Sequence, residues 1–279
     1  MLDYSKYTNE ELRKIAVENA ARRYQPLPKE TEEVIPINYN RTDPLIIAVQ
    51  CSPSFKNHLR VLTKSIREYQ PDSPTVLYSY DGFNPHEDFS EIIPRGDAAS
   101  ITMDRGWIIN DLLKRYSKIC FLGADTELFA PLNEANEMLS TYDFVICPHL
   151  IGKSDWSNAD FQLWRRTTSS VKIAQWYLEN IGNYDSEQRC LSQIPHKFPT
   201  ATIWNNKTHN VAYYNCREYN LRQDGGEWIT DGGKVVLAHY SGFLVNQPNR
   251  LSMYGHQFGE PTEDILKFYR RYAEQLKLN

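Results

Sequence analysis

Four short apolar runs, spaced by amphipathic stretches, most constrain how this chain folds. They are Leu45-Ile46-Ile47-Ala48-Val49-Gln50, Thr75-Val76-Leu77-Tyr78-Ser79-Tyr80, Lys118-Ile119-Cys120-Phe121-Leu122 and Asp143-Phe144-Val145-Ile146-Cys147. Runs this short and this continuous read as strands buried on both faces of a parallel sheet. Ser52-Pro53, Asp81-Gly82 and Pro148-His149 supply turns after three of them. Between the runs, Asn57 to Tyr69 places Leu59, Leu62 and Ile66 at helical spacing, and Arg105 to Tyr116 reads as a second helix. Strand–helix–strand alternation predicts an α/β fold with a mostly parallel sheet and helices on both faces.

The flanks differ from this core. Asn9 to Tyr24 reads as a helix carrying Leu12, Ile15 and Ala16, with Thr8 as N-cap and Glu11 three residues on. Gln25 to Pro44 holds four prolines and reads as an irregular linker. Val171 to Ile181 predicts a helix, Val235 to His239 a strand, and Glu263 to Leu278 a terminal helix with Ile265, Leu266, Phe268, Tyr269, Tyr272, Ala273 and Leu276 on its apolar side. Three parts follow: an arm and linker over 1–44, a core α/β domain over 45–262, and a C-terminal helix over 263–279. Lys267, Arg270, Arg271 and Lys277 make that helix basic; packing on the domain is its first use, and a peripheral membrane contact the alternative.

A formal net charge of -4 argues against a dedicated nucleic-acid binder, which presents a basic face. The five cysteines, Cys51, Cys120, Cys147, Cys190 and Cys216, are odd in number and include no Cys-x-x-Cys, so they read as reduced, packed thiols. With no apolar signal core at the N-terminus and no run of transmembrane length, the expectation is a soluble, cytoplasmic protein.

Chemistry concentrates where the third run ends, at Gly123-Ala124-Asp125-Thr126-Glu127. Alternate residues of an extended segment face the same way, so Asp125 and Glu127 are expected to share one site. Ligands of open α/β sheets bind beyond the carboxyl ends of such strands, and paired carboxylates there suit Mg2+ or Mn2+ holding phosphates. A solvated turn is the plainer use of the same residues. His239 ends a later strand, ahead of Ser241-Gly242, and could add a nitrogen to that cation; a structural hydrogen bond is the alternative. No Gly-x-Gly-x-x-Gly, no P-loop and no Gly-x-Ser-x-Gly elbow occurs.

Four blocks, in order, carry a family resemblance. Ile119 to Glu127 is similar to a "leucine-aspartate-x-aspartate" strand end; Glu187-Gln188-Arg189-Cys190-Leu191-Ser192-Gln193-Ile194-Pro195 resembles a "DQ…ln.vP" segment; Asn210-Val211-Ala212-Tyr213-Tyr214-Asn215 resembles "NvAYWN"; and His239-Tyr240-Ser241-Gly242-Phe243 with Leu251-Ser252 resembles "HFSGF…lS". Together they resemble metal-dependent glycosyltransferases of the GT-A fold, in the bacterial family 8 and glycogenin-like group. The resemblance implies a nucleotide-sugar donor, UDP-linked first, and an acceptor hydroxyl on a surface glycan or glycolipid. It implies Asp125, Glu127 and His239 as ligands of Mn2+ or Mg2+. Gln50, Cys51, Ser52, Arg105, Ala124, Asn158, Ser241 and Gly242 would contact the donor, with Arg105 on the diphosphate and Asn158 on the sugar. Glu187, Gln188 and Asp160 would lie at the reacting centre. Three positions depart from the pattern: Glu127 and Glu187 stand where aspartates are usual, and Asp160 where glycine follows Asn158-Ala159.

Two other functions compete. A sugar-phosphate nucleotidylyltransferase needs a Gly-rich, Arg-bearing loop that Cys51-Ser52-Pro53-Ser54-Phe55 does not provide. The three departures would also suit a nucleotide-sugar-binding relative without turnover. Fold analogy leaves the acceptor open to protein or a DNA base.

Overall fold

The computed structural model describes residues 42–85, 89–98, 101–149, 156–244, 246–247, 250–252 and 259–277. The expected helix over Asn9 to Tyr24 and nearly all of the linker lie outside the described residues.

Six strands follow from the apolar runs and their neighbours: β1 (Ile46–Cys51), β2 (Thr75–Ser79), β3 (Glu91–Pro94), β4 (Lys118–Gly123), β5 (Thr126–Leu128) and β6 (Phe144–Pro148). Then come β7 (Ser157–Arg165) and β8 (Ala201–Ile203). Seven of these build one sheet in the order β3-β2-β1-β4-β7-β6-β8. Pairing is parallel except at β7, which runs antiparallel to both β4 and β6. The fold is therefore mixed α/β with a mostly parallel central sheet, as the alternation predicts. β1 and β4 are buried along their whole length, as expected of continuous apolar strands.

Helices cover both faces. α1 (Lys56–Tyr69) and α3 (Asn133–Met138) cover one, and α2 (Arg105–Arg115), α4 (Thr168–Asn180) and α5 (Glu187–Lys197) the other. On the first face Leu59, Leu62 and Ile66 of α1 pack on Ile47, Val49, Cys120 and Leu122. On the second, Ile109, Ile173, Tyr177 and Leu191 pack on Ala48, Phe121 and Phe144. Each such aliphatic side chain contributes about 1.5–3 kcal/mol by burial. Thr167 caps α4 and accepts from the Ser170 amide, while the Ser170 hydroxyl bonds back to the Thr167 amide, so this helix starts ahead of the sequence expectation.

A second layer lies beyond the first face. Strands β9 (Arg222–Asp224), β10 (Glu227–Thr230) and β11 (Gly233–Lys234) form a small antiparallel sheet. β12 (Leu237–His239) pairs with β5. The C-terminal helix α6 (Glu263–Lys277) buries Ile265, Phe268, Tyr269, Tyr272, Ala273 and Leu276, so its apolar face is covered within the chain and it packs against α1. Among the described residues no helix is long and apolar enough to cross a membrane.

His209 illustrates what this packing does to a titratable ring. It lies between Trp204 (4.4 Å between centroids) and Phe161 (5.8 Å), with Thr208 Oγ1 2.9 Å from Nδ1. Burial drives its imidazole down to about 3 from 6.5. Between those values the unfolded chain binds a proton that the folded chain does not, so stability rises with pH across this window and is lost as pH falls through it. Urea unfolding should therefore show an acid limb worth on the order of 5 kcal/mol from this residue. His209→Leu should flatten that limb; an unchanged limb would count against the burial effect.

Candidate metal centre at the carboxyl ends of β1 and β4

The strand order reverses between β1 and β4, the switch point at which open α/β sheets bind ligands. β4 ends at Gly123, and the chain turns at Ala124-Asp125 before β5 begins. Thr126 Oγ1 donates to the Gly123 carbonyl (2.8 Å) and holds that turn. β5 then pairs with β12 so that Thr126 faces His239, and the Tyr240 amide donates to the Asp125 carbonyl (2.8 Å). Val211 bridges Ala238 and accepts from the His239 amide (2.9 Å), which fixes β12 from its other side. Asp125 and His239, 114 positions apart in sequence, are neighbours because of this pairing.

β7 brings the third member. Its antiparallel register on β4 continues past Leu122↔Phe161, so Asp160 lies over Gly123. Asp125, Asp160 and His239 each offer one ligand atom, and the three atoms lie within 4.8 Å of one another. His239 Nε2 is 3.5 Å from Asp125 Oδ1 and 3.4 Å from Asp160 Oδ2, is buried, and makes no hydrogen bond. Its Nδ1 lies 3.1 Å from Asn158 Nδ2, and Asn158 Oδ1 accepts from the Asp160 amide (2.8 Å). One asparagine thus orients both the ring and the backbone of the acid beside it.

Charge balance within the centre is tight. Burial works against ionised Asp125, but His239, and then His58, outweigh it and hold this carboxyl below its usual range. Burial likewise opposes a charged His239, yet Asp125 and Asp160 more than compensate and raise it. Two converging carboxylates call for a positive charge between them. The site fits a divalent cation by that measure: two oxygens and one nitrogen converge, and the nitrogen is a buried polar atom with no partner.

Behind the centre stands Arg105, 4 % exposed. Its Nη2 donates to Asp160 Oδ1 (3.0 Å), and its Nη1 to the Ala159 carbonyl (2.9 Å) and toward Glu187 Oε1 (3.1 Å). With the Gln50 amide turned to satisfy both its ends, the Gln50 oxygen accepts from Arg105 Nη2 (2.6 Å) and Nε (3.1 Å), and its nitrogen donates to the Ile101 carbonyl (3.0 Å). Every guanidinium nitrogen is engaged. Arg105 therefore orients Asp160 and does not stand open to a diphosphate, the role the family resemblance implied. Burial pushes the Glu187 carboxyl up to about 7 despite Arg105, with Asp160 adding to the rise; its Oε2 is buried without a partner.

Glu127 departs from expectation. Its carboxylate turns away from Asp125 and His239 and forms a two-point pair with Arg271 of α6, accepting also from the Tyr240 hydroxyl (2.9 Å). The reason is the turn at Ala124-Asp125: alternation holds within one strand, and Asp125 and Glu127 do not belong to one. The other anticipated positions divide. Gln50, Ser52, Ala124 and Asn158 are buried beside the switch point. The Cys51 thiol packs in the core on the α1 side and donates to the Ser52 carbonyl (3.2 Å), so only its backbone reaches the strand end. Ser241 and Gly242 form a half-buried turn, where Gly242 takes φ +62°. Gln188 lies half-buried in the first turn of α5. His58 of α1 was not anticipated; among helical residues it carried no signal, and only packing puts it beside Asp125.

No family model and no curated protein matches this chain. Its likeness is to solved structures. The glycosyltransferase GlyE of Streptococcus pneumoniae TIGR4 aligns at TM-score 0.56 and 14% identity, over 83% of this chain and 60% of GlyE. The apo form of GlyE aligns at 0.57 and 13% identity over the same shares, so this chain spans about 60% of GlyE's length. A glycosyltransferase involved in glycosylation of the major capsid of PBCV-1 aligns at TM-score 0.47 and 12% identity, over 72% of this chain and 94% of that one. Likeness to GlyE at these identities shows the fold alone: mixed α/β with a mostly parallel central sheet flanked by helices, consistent with a GT-A-like architecture.

Proposed function

We propose that this chain is a metal-dependent glycosyltransferase that moves a sugar from a nucleoside-diphosphate sugar, a UDP-sugar first, to an acceptor hydroxyl. One observation carries the reading: the unpartnered Nε2 of His239 facing two carboxylates at the switch point of a GT-A-like sheet. Asp125, Asp160 and His239 would hold Mn2+ or Mg2+. Three protein ligands leave coordination positions for diphosphate oxygens, and the bound cation would offset the charge gathering on the departing nucleoside diphosphate.

The chain's own groups do the positioning. Asn158 keeps the His239 ring in its plane, and Arg105 holds one oxygen of Asp160 so that the other faces the centre. Glu187 Oε2, buried and unpartnered, would accept from a donor-sugar hydroxyl, with Gln188 beside it at the start of α5. The Ser241-Gly242 turn after His239 would let backbone and hydroxyl approach a phosphate. By resemblance the acceptor is a glycan or glycolipid.

Calorimetric titration of UDP and a panel of UDP-sugars, with and without Mn2+, tests this. Binding that needs Mn2+, with donor turnover that EDTA removes, is the expected result. Mn2+-dependent binding without turnover on any donor would favour a nucleotide-sugar-binding protein. Turnover indifferent to EDTA would defeat the metal assignment.

A further inference from the structure

Strand β5, the residue after β12 and helix α1 are all tied to one helix late in the chain. From α6, Arg271 clasps Glu127 with Nη1 to Oε1 (2.9 Å) and Nη2 to Oε2 (2.5 Å). Glu127 lies two residues beyond Asp125. Arg271 Nη2 also donates to the Tyr240 hydroxyl (3.0 Å), and Tyr240 directly follows His239. The next α6 residue, Tyr272, stacks on the Tyr240 ring at 3.5 Å and 6°. The Tyr272 hydroxyl meets Nδ1 of His58 (2.7 Å), the α1 residue that packing puts near Asp125.

This is more apparatus than packing requires. α6 already buries six apolar residues, and a hydrophobic pair in place of a buried Glu–Arg pair is often as stable or more so. The ionic pair is 6 % exposed on the Glu127 side and closes on two points with a third hydrogen bond, a geometry that fixes direction as well as distance. The Arg271 guanidinium also lies 4.7 Å over the Phe129 ring. The polar contacts of Arg271 and Tyr272 end on Glu127, two residues after Asp125, on Tyr240, next to His239, and on His58.

We propose that the C-terminal helix is part of the support of the metal centre: Arg271, through Glu127 and Tyr240, and Tyr272, through Tyr240 and His58, are positioning residues for Asp125 and His239. The proposal rests on the metal reading above. It turns Glu127 from a ligand into the strut that places the ligand two residues before it. Supporting groups of this kind change metal affinity about 10-fold to 100-fold when removed.

Mn2+ binding to the full chain, followed by calorimetry and by electron paramagnetic resonance, tests the proposal in Arg271→Met, Glu127→Gln and Tyr272→Phe. Histidine ring resonances are recorded on the same metal-free proteins. The expected result is folded protein with Mn2+ affinity about 10-fold weaker in Arg271→Met, partial recovery in Arg271→Lys, and displaced His239 and His58 resonances. Tyr272→Phe removes one hydroxyl and no packing, so it decides the matter if Arg271→Met does not fold. Folded variants with wild-type Mn2+ affinity and unmoved histidine resonances would overturn the proposal. A wild-type chain that binds no Mn2+ would overturn the metal reading instead, and the histidine resonances would then decide this proposal by themselves.

Discussion

Asp125→Ala is expected to abolish Mn2+ binding and to lower donor turnover by about 1,000-fold or more, the scale of losing a main electrostatic stabiliser of the transition state. The substitution removes one of two carboxylate oxygens aimed at His239 Nε2. It also removes the largest favourable influence on the His239 charge, so the imidazole should titrate lower in the variant. The fold should survive, because the turn at Ala124-Asp125 is held by backbone and Thr126 contacts that alanine leaves in place. Circular dichroism establishes folding, calorimetry reads Mn2+ affinity, and a coupled assay for nucleoside diphosphate release reads turnover. A folded Asp125→Ala protein with wild-type Mn2+ affinity would remove the centre proposed here.

Asp160→Gly should weaken Mn2+ binding by at least about 100-fold, and adding Gly123→Asp should recover a large part of that loss. The argument is steric. A Cβ at position 123 would lie 2.7 Å from Asp160 Cβ and 2.9 Å from Asp160 Oδ1. Side chains at 123 and 160 therefore compete for one space, and this chain fills it from β7. Gly123 lies within β4 and does not take a left-handed backbone, so aspartate is allowed there once Asp160 is gone. Gly123→Asp alone should be destabilised by overpacking of about 1–3 kcal/mol. The double variant should be more stable than that single and should bind Mn2+ more tightly than Asp160→Gly. If the double variant binds no better than Asp160→Gly, the two positions do not exchange a ligand.

Strand β7 shows why part of the fold was hidden. Ser157-Asn158-Ala159-Asp160-Phe161-Gln162 has weak strand preference, with Asn and Asp depleted in strands. It forms a strand because β4 and β6 pair with both its edges. Its long polar side chains are tolerated because they are satisfied, Asn158 by His239 and the Asp160 amide, Asp160 by Arg105, and Gln162 by the Ala159 carbonyl and Trp164, while the Ser157 hydroxyl is buried without a partner. A strand that carries site residues is the one whose local pattern is least strand-like. Glu127 was misplaced for the converse reason. Its neighbours do read as strand, but a two-residue turn separates it from Asp125 and reverses what it faces.

The chain's local patterns by themselves determined the α/β class, the strands β1, β2, β4 and β6, the helices over Asn57 to Tyr69 and Arg105 to Tyr116, and the concentration of acidic residues where β4 ends. These depend on periodicity and on residue chemistry, which a linear chain displays. Tertiary structure decided that Asp160 and not Glu127 completes the cluster, that Arg105 is consumed in holding it, and that α6 reaches the centre through Arg271 and Tyr272. Those outcomes depend on the register between strands and on which buried charges meet, and the free energy of burying a charge is set by its partners across the fold, not by its neighbours along the chain.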